Sequence, residues 1–248
     1  PVLKLAVQYD RLAGYFSSTT FAVAISETLD FIKNGGKMRL ITSPQISNQD
    51  KQVFQDYVNG EKTGFEELLV EKINEKNDQV FRDCAALMGW MLDNKIDNES
   101  QLQIKIAIPE SLDGKLDQNS IYHQKVGIFR DTDKNTISFE GSVNETGKAW
   151  FDNIEKFKVS TNWNDDSDRE RISLDVKTFN KFWDNKAKRT TVIDLPTAVK
   201  EEFLRVRAKS TEEFNEILSR LKETLPRRKT LRLRDYQNEA INELHQIQ

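Results

Sequence analysis

The sequence predicts an α+β fold with α/β layering: a mixed β-sheet flanked by helices, followed by a helical C-terminal extension. Three observations carry this expectation. Leu102, Ile104, Ile106 and Ile108 recur at every second position, the period of a strand with one face in a core. Phe65, Leu69, Ile73, Val80, Cys84, Met88 and Met91 fall on one helical face. Strands alternate with helices in the first half, and a strand-rich stretch over 121–160 follows, a pattern that suits a mixed sheet covered by helices.

Taken in order, residues 2–15 read as one or two strands. A helix is expected over 19–34: Ser17-Ser18-Thr19-Thr20 offers an N-cap, and Asn34-Gly35-Gly36 stops it. Residues 37–43 form a strand, and Ser47 caps a helix that runs to about residue 59. The helix over 65–93 has a polar middle, Lys76-Asn77-Asp78, that can divide it. The strand at 102–108 follows, then strands over 121–129, 136–140 and 154–160, then a helix over 168–186 carrying Phe179, Phe182 and Trp183. Residues 196–225 read as one or two charged helices without a core of their own. No internal repeat is visible.

Composition bounds the function. The 248 residues are 37% hydrophobic and 31% charged, enough for one large domain or a domain with an appendage and a polar surface. No run of eighteen apolar residues exists, so no membrane span and no membrane partner are expected. The chain opens at Pro1 with no signal-peptide pattern, as expected of an excised or processed piece. The single cysteine, Cys84, cannot form an internal disulfide and is expected as buried packing in a reducing, cytoplasmic setting. Net charge is −3 but unevenly spread: residues 50–100 hold twelve acidic and six basic side chains, residues 205–234 ten basic and four acidic. The basic stretch can meet a phosphate backbone or form a solvated helix face.

The chemistry concentrates between residues 121 and 155. Within the alternating segment Ile121-Tyr122-His123-Gln124-Lys125-Val126-Gly127-Ile128-Phe129, His123 and Lys125 share one face about 7 Å apart. The strand over 136–140 ends in the turn Gly141-Ser142-Val143-Asn144-Glu145-Thr146-Gly147, and Glu155 opens the next strand. Adjacent strands would then deliver His, Lys, Ser, Asn and Glu to one end of a sheet. Such a set suits a phosphodiester: an imidazole attacks phosphorus, while an ammonium and an amide hold the charged oxygens.

These residues resemble the phospholipase D superfamily, in its nuclease branch, whose pattern is His-x-Lys, then Gly-Ser-x-Asn, then a Glu about eleven residues on. Here they are His123, Lys125, Gly141, Ser142, Asn144 and Glu155. Phe139-Glu140-Gly141-Ser142-Val143-Asn144-Glu145-Thr146, then Trp150, Asn153 and Trp163, resemble one subgroup, in which the domain is fused ahead of a DNA helicase in bacterial restriction-like systems. Asp10, Gly14-Tyr15-Phe16-Ser17-Ser18 and Gly35-Gly36-Lys37-Met38-Arg39-Leu40-Ile41 match that subgroup's first strands, so the resemblance spans roughly residues 5–165. It implies a phospholipase D-like sheet, with His123, Lys125, Asn144 and Glu155 catalytic, Ser142 binding substrate, and no metal. Many members place an Asp where this chain has Arg130, with Asp131 next to it, and Glu155 stands as the functional substitute. Glu140 replaces a smaller residue and is expected to add negative charge near the phosphate.

The family uses two histidines, one to attack and form a phosphohistidine and one to protonate the leaving oxygen. This chain has two histidines in all, and His245 has no Lys two residues later. The second copy of the motif is therefore expected from another chain, giving a homodimer whose two-fold axis crosses the active-site face. Leu231-Arg232-Leu233-Arg234-Asp235-Tyr236-Gln237 resembles the opening of superfamily-two helicase domains, yet no Gly-x-x-x-x-Gly-Lys-Ser/Thr follows. The organisation implied is a nuclease domain over 1–190, a helical linker over 191–228 and the start of a truncated helicase over 229–248. The nuclease step would need no cofactor, and ATP would serve the missing helicase. DNA is the expected partner and metal-independent endonucleolytic cleavage the expected activity. The alternatives are an inactive module that dimerises and positions an ATPase on DNA, or a phospholipid or RNA phosphodiesterase.

Overall fold

A computed structural model of the chain describes residues 5–14, 30–43, 64, 67, 70, 79–110, 125–141 and 157–224. Their centre is a seven-stranded mixed sheet. The strands are β1 (Ala6–Ala13), β2 (Lys37–Thr42), β5 (Leu102–Pro109), β6 (Val126–Asp131), β7 (Thr136–Gly141), β8 (Phe157–Thr161) and β9 (Thr190–Asp194), in the sheet order β8-β7-β6-β1-β2-β5-β9. β1, β2 and β5 run parallel, while β6 runs antiparallel to β1, β7 to β6, β8 to β7 and β9 to β5. The short strands β3 (Lys95–Ile96) and β4 (Glu99–Ser100) form a separate hairpin. Its turn residues Asp97 and Asn98 both adopt positive φ, the geometry of a two-residue hairpin turn.

Helices cover both faces. Helices α1 (Gln79–Asp93), α3 (Thr197–Val206) and α4 (Thr211–Thr224) pack on one face, and α2 (Asp166–Trp183) on the other. Period-two alternation sorts the strand residues between these layers. Tyr9, Met38, Leu40, Ile104 and Ile106 join Leu87, Met91, Phe203 and Leu218 in the larger core. Leu12, Ile41, Val126 and Ile128 meet Phe179 of α2 in the smaller one. Cys84 is buried in the larger core. Gly89 lets α1 approach α3 closely, since a Cβ there would overlap the Phe203 carbonyl.

The expected strands at 37–43, 102–108 and 136–140 appear as β2, β5 and β7. The helix expected over 168–186 starts earlier, at Asp166, because the Asp165 side chain caps it by accepting from the Asp168 N–H at 2.8 Å. The expected helix over 47–59, most of that over 19–34 and most of the first half of that over 65–93 lie outside the described residues. So do residues 225–248, including the helicase-like opening. The helices expected in the linker are α3 and α4. They share the sheet's core through Val199, Phe203, Phe214, Ile217, Leu218 and Leu221, and β9 just before them pairs with β5. No helix among the described residues is long and apolar enough to cross a membrane.

Candidate active site

Lys125 is the one predicted site residue among those described. It sits immediately before β6, 4% exposed, and its carbonyl accepts from the Gly141 N–H at 3.4 Å. His123, Ser142, Asn144 and Glu155 lie outside the described residues. The strand ends that adjoin them are described. β6 begins at Val126, β7 ends at Gly141 and β8 begins at Phe157, with Gly141 paired to Phe157. Because these three neighbouring strands alternate in direction, those ends lie at the same end of the sheet, beside the C-terminal ends of β1 and β2.

Register assigns each charged residue to a face. Arg11 pairs with Gly127, which pairs with Phe139, and Arg11 pairs with Leu40 on its other side. One step toward the motif end, Ala13 pairs with Thr42, and the β1–β6 register continues to place Lys125 beside Ala13. Arg11, Ala13, Thr42 and Lys125 therefore share the face of the larger core. Arg11 is 1% exposed, and its guanidinium carbon lies 5.0 Å from the centre of the Phe139 ring. That ring covers Gly127, where a Cβ would overlap it, so glycine makes the room. Phe139 stacks on Phe129, and Phe129 on Tyr9 at 4.2 Å, which fixes the ring beneath the guanidinium. The Thr42 hydroxyl, fully buried, meets no hydrogen-bond partner among the described residues.

The opposite face carries a different cluster. Asp10 is fully buried and receives a bidentate pair from Arg39, with Nε to Oδ1 and Nη2 to Oδ2 both at 2.7 Å. Arg130 donates to the same carboxylate at 2.5 Å, and Gln8 at 2.8 Å. Burial pushes the Asp10 carboxyl up, but the hydrogen bonds and charge of Arg39, with Arg130 and Gln8, outweigh it and hold the carboxyl below its ordinary value. Arg39 also lies over Phe179 and Trp183 of α2, at 4.8 and 5.2 Å. Arg130, the residue standing where the resemblance expects an Asp, is thus a structural partner of Asp10. Asp131, next to it, holds the β6–β7 turn by accepting from the Asp133 and Asn135 N–H groups. Nor does Glu140 add charge beside Lys125: it pairs with Val126 and is exposed on the α2 face.

α2 also sets Asp175 against β7. Burial raises its carboxyl pKa first, the Ser138 hydrogen bond and Lys158 oppose this, and Glu140 adds to it. Among the described residues no three His, Cys, Asp or Glu side chains are placed to share a metal ion. Sequence reading did not single out Arg11 or Thr42. The signal was present, since both stand at core-facing parity in strands that are otherwise apolar on that side. No protein-family model and no curated protein matches the chain.

Proposed function

We propose that the protein is a metal-independent phosphodiesterase of the phospholipase D type that cleaves DNA at a site shared by two copies of the chain. The observation that carries this is the placement of Lys125, Gly141 and Phe157 in one transverse row at one end of three adjacent strands. His123 is two residues from Lys125, Ser142 and Asn144 follow Gly141 by one and three, and Glu155 precedes Phe157 by two. Two residues of chain reach at most about 7 Å, and neighbouring strands are about 4.8 Å apart. Covalent connectivity alone thus supports a gathering of all five motif positions. Alternation favours His123 and Glu155 on the face of Lys125.

The chemistry follows from these roles. The His123 imidazole nitrogen attacks phosphorus in line and forms a P–N bond as the P–O bond to one ester oxygen breaks. The partner's His123, protonated, gives its proton to that oxygen. Water, deprotonated by the same partner imidazole, then attacks the phosphohistidine and releases the phosphate end and the first imidazole. Lys125 and Asn144 hold the non-bridging oxygens, with Ser142 assisting, as charge shifts onto them. Glu155 accepts from the imidazole of its own chain and fixes its tautomer. One imidazole cannot attack and protonate in the same step, and a two-fold axis brings the second with no new sequence. The basic stretch over 205–234 and the helicase-like residues after it favour DNA as the substrate.

Incubation with plasmid and with linear DNA in EDTA, beside a native mass measurement, tests this. Cleavage should persist in chelator, and the mass should be near twice 28.8 kDa. His123→Ala should lower the rate on the order of a thousandfold or more. Activity that disappears with EDTA and returns with magnesium, or a monomer that cleaves at full rate, would refute the proposal. Liposome binding with no DNA cleavage would point to a phospholipid substrate.

A further inference from the structure

We infer that the turn between α2 and β9 is a second contact for duplex DNA, in which Lys181, Lys186 and Lys188 hold backbone phosphates about six base pairs from the point of cleavage. This rests on reading the β6–β7–β8 end of the sheet as a phosphodiester site, and it adds a surface to which no motif residue belongs.

The placement is read from register. β9 starts at Thr190, which pairs with Pro109 of β5, whereas β2 ends at Thr42, which pairs with Ile106. β5 and β9 therefore continue for about three residues, roughly 10 Å, past the row in which β1 and β2 end. The turn over 184–189 stands on this projection, at the same end of the sheet as the start of β6, the end of β7 and the start of β8. β9 is four strands from β6 in the sheet, so the turn is roughly 20 Å from the β6 end. Phosphates of one strand advance about 3.4 Å per base pair along the axis, and 20 Å corresponds to about six steps. The backbone of the turn is fixed on both sides. Asn185 has a φ of 54°, and its side-chain oxygen accepts from the Val192 N–H at 2.7 Å. The Lys186 N–H donates to the Lys181 carbonyl at 2.7 Å, and the Arg189 carbonyl accepts from the Glu110 N–H at 2.9 Å. The lysines are thus presented by a chain segment bound to α2, β5 and β9.

The charge of this rim points to a polyanion. Residues 177–189 hold five basic side chains and one acidic. Some neighbouring charges are already paired: Lys186 lies 3.2 Å from Asp184 and Lys105 lies 3.4 Å from Asp194, while Glu110 accepts from the Thr191 hydroxyl. Lys181 and Lys188 are exposed, and neither pairs with a carboxylate among the described residues. Attraction of a cation to the carbonyl end of a helix accounts for Lys181, in the last turn of α2, but not for Lys186 and Lys188, which lie beyond it. The start of α2 has the opposite sign. Residues 165–171 hold four acidic and two basic side chains, and Asp168 there accepts from the N–H of Thr161, at the far end of β8. A duplex lying across the motif end thus meets cations at the β9 rim and stays clear of the acidic start of α2. A lysine ammonium is a mobile point charge that holds phosphate without reading a base, so the contact fits DNA of any sequence.

The test compares two double variants of the 248-residue chain that lose the same charge. One is Lys181→Gln with Lys188→Gln at the rim. The other is Lys33→Gln with Lys134→Gln, just before β2 and in the β6–β7 turn, at the opposite end of the sheet. All four lysines are exposed, so both variants should melt as wild type does. In the first assay, binding to a duplex of about 30 base pairs is followed by fluorescence anisotropy against salt, with His123→Ala added to every protein so that the duplex survives. At about 0.1 M salt the rim variant should bind about 10- to 60-fold more weakly, and its slope of log K against log salt should be shallower by about two. The control variant, and Lys181→Arg with Lys188→Arg, should stay within about twofold of the parent. In the second assay, cleavage in EDTA is measured with His123 present, on the same duplex and on a hairpin of about eight base pairs, too short to reach the rim from the motif end. kcat/KM of the rim variant should fall about 10- to 60-fold on the long duplex and less than about threefold on the hairpin. Rim and control variants that bind DNA alike would overturn the inference, as would equal losses on the long and short substrates. A rim-dependent affinity for duplex RNA or anionic vesicles, with none for DNA, would overturn the choice of partner. A wild type that cleaves no DNA but binds it through Lys181 and Lys188 would overturn the nuclease reading and leave the DNA contact standing.

Discussion

Asp10 shows how a single residue organises the sheet. A carboxylate with no exposure is expensive to desolvate, and its position is tenable because three donors from β1, β2 and β6 converge on it. Asp10→Asn removes the charge but leaves two arginines facing the amide, so a loss of about 3–5 kcal/mol is expected in urea unfolding. The folded carboxyl titrates below its ordinary value of 3.8. Its stabilisation is therefore complete above that pH and is lost as pH falls through the lower folded value, and the Asn variant should flatten the acid limb of the stability profile. Asp175 has the opposite sign, because its carboxyl is raised, so acid relieves a cost there. The same attention to which side a residue faces separates Lys125 from Arg130 and Glu140. All three stand in or beside β6 and β7, but only Lys125 is on the larger-core face at the motif end.

At the scale of elements, side-chain hydrogen bonds and ion pairs fix how the helices sit. α4 opens on Ser210, whose hydroxyl accepts from the Glu213 N–H at 3.2 Å, while the Glu213 carboxylate accepts from the Lys209 N–H. It is then tied to α1 by Arg220, which grips Asp83 through Nε at 3.0 Å and Nη2 at 2.7 Å. Asp83 is 4% exposed, so the pair is stronger than a surface contact although Arg220 itself is half exposed. Arg220→Met should cost about 1–3 kcal/mol, between the surface and buried limits, and chemical denaturation measures it. α2 was legible in sequence from Phe179, Phe182 and Trp183, whereas its start needed the capping contact of Asp165. β9 was not expected. Thr190-Thr191-Val192-Ile193-Asp194 has β-branched residues but only five positions, and its identity as a strand comes from pairing with β5, far away in the chain.

For the molecule as a whole, α3 and α4 join α1 in one layer of the larger core. Phe203, Phe214, Ile217, Leu218 and Leu221 close the larger core over β2 and β5. A chain cut at residue 190, the boundary expected from sequence, would expose that core and lose the edge strand β9. It should show no cooperative thermal transition by circular dichroism, whereas residues 1–224 should melt cooperatively. By itself, the sequence determined the α+β class, the strand periods, the burial of Cys84 and the spacing of His123, Lys125, Ser142, Asn144 and Glu155, because these depend on local backbone geometry and residue chemistry. Only the tertiary structure decided that β6 lies against β1, that Arg130 serves Asp10, that Glu140 faces away from Lys125, and that Arg11 and Thr42 share its face. Those facts depend on which strands pair and in what register, and that choice is made by packing between segments tens of residues apart, which a local pattern does not encode.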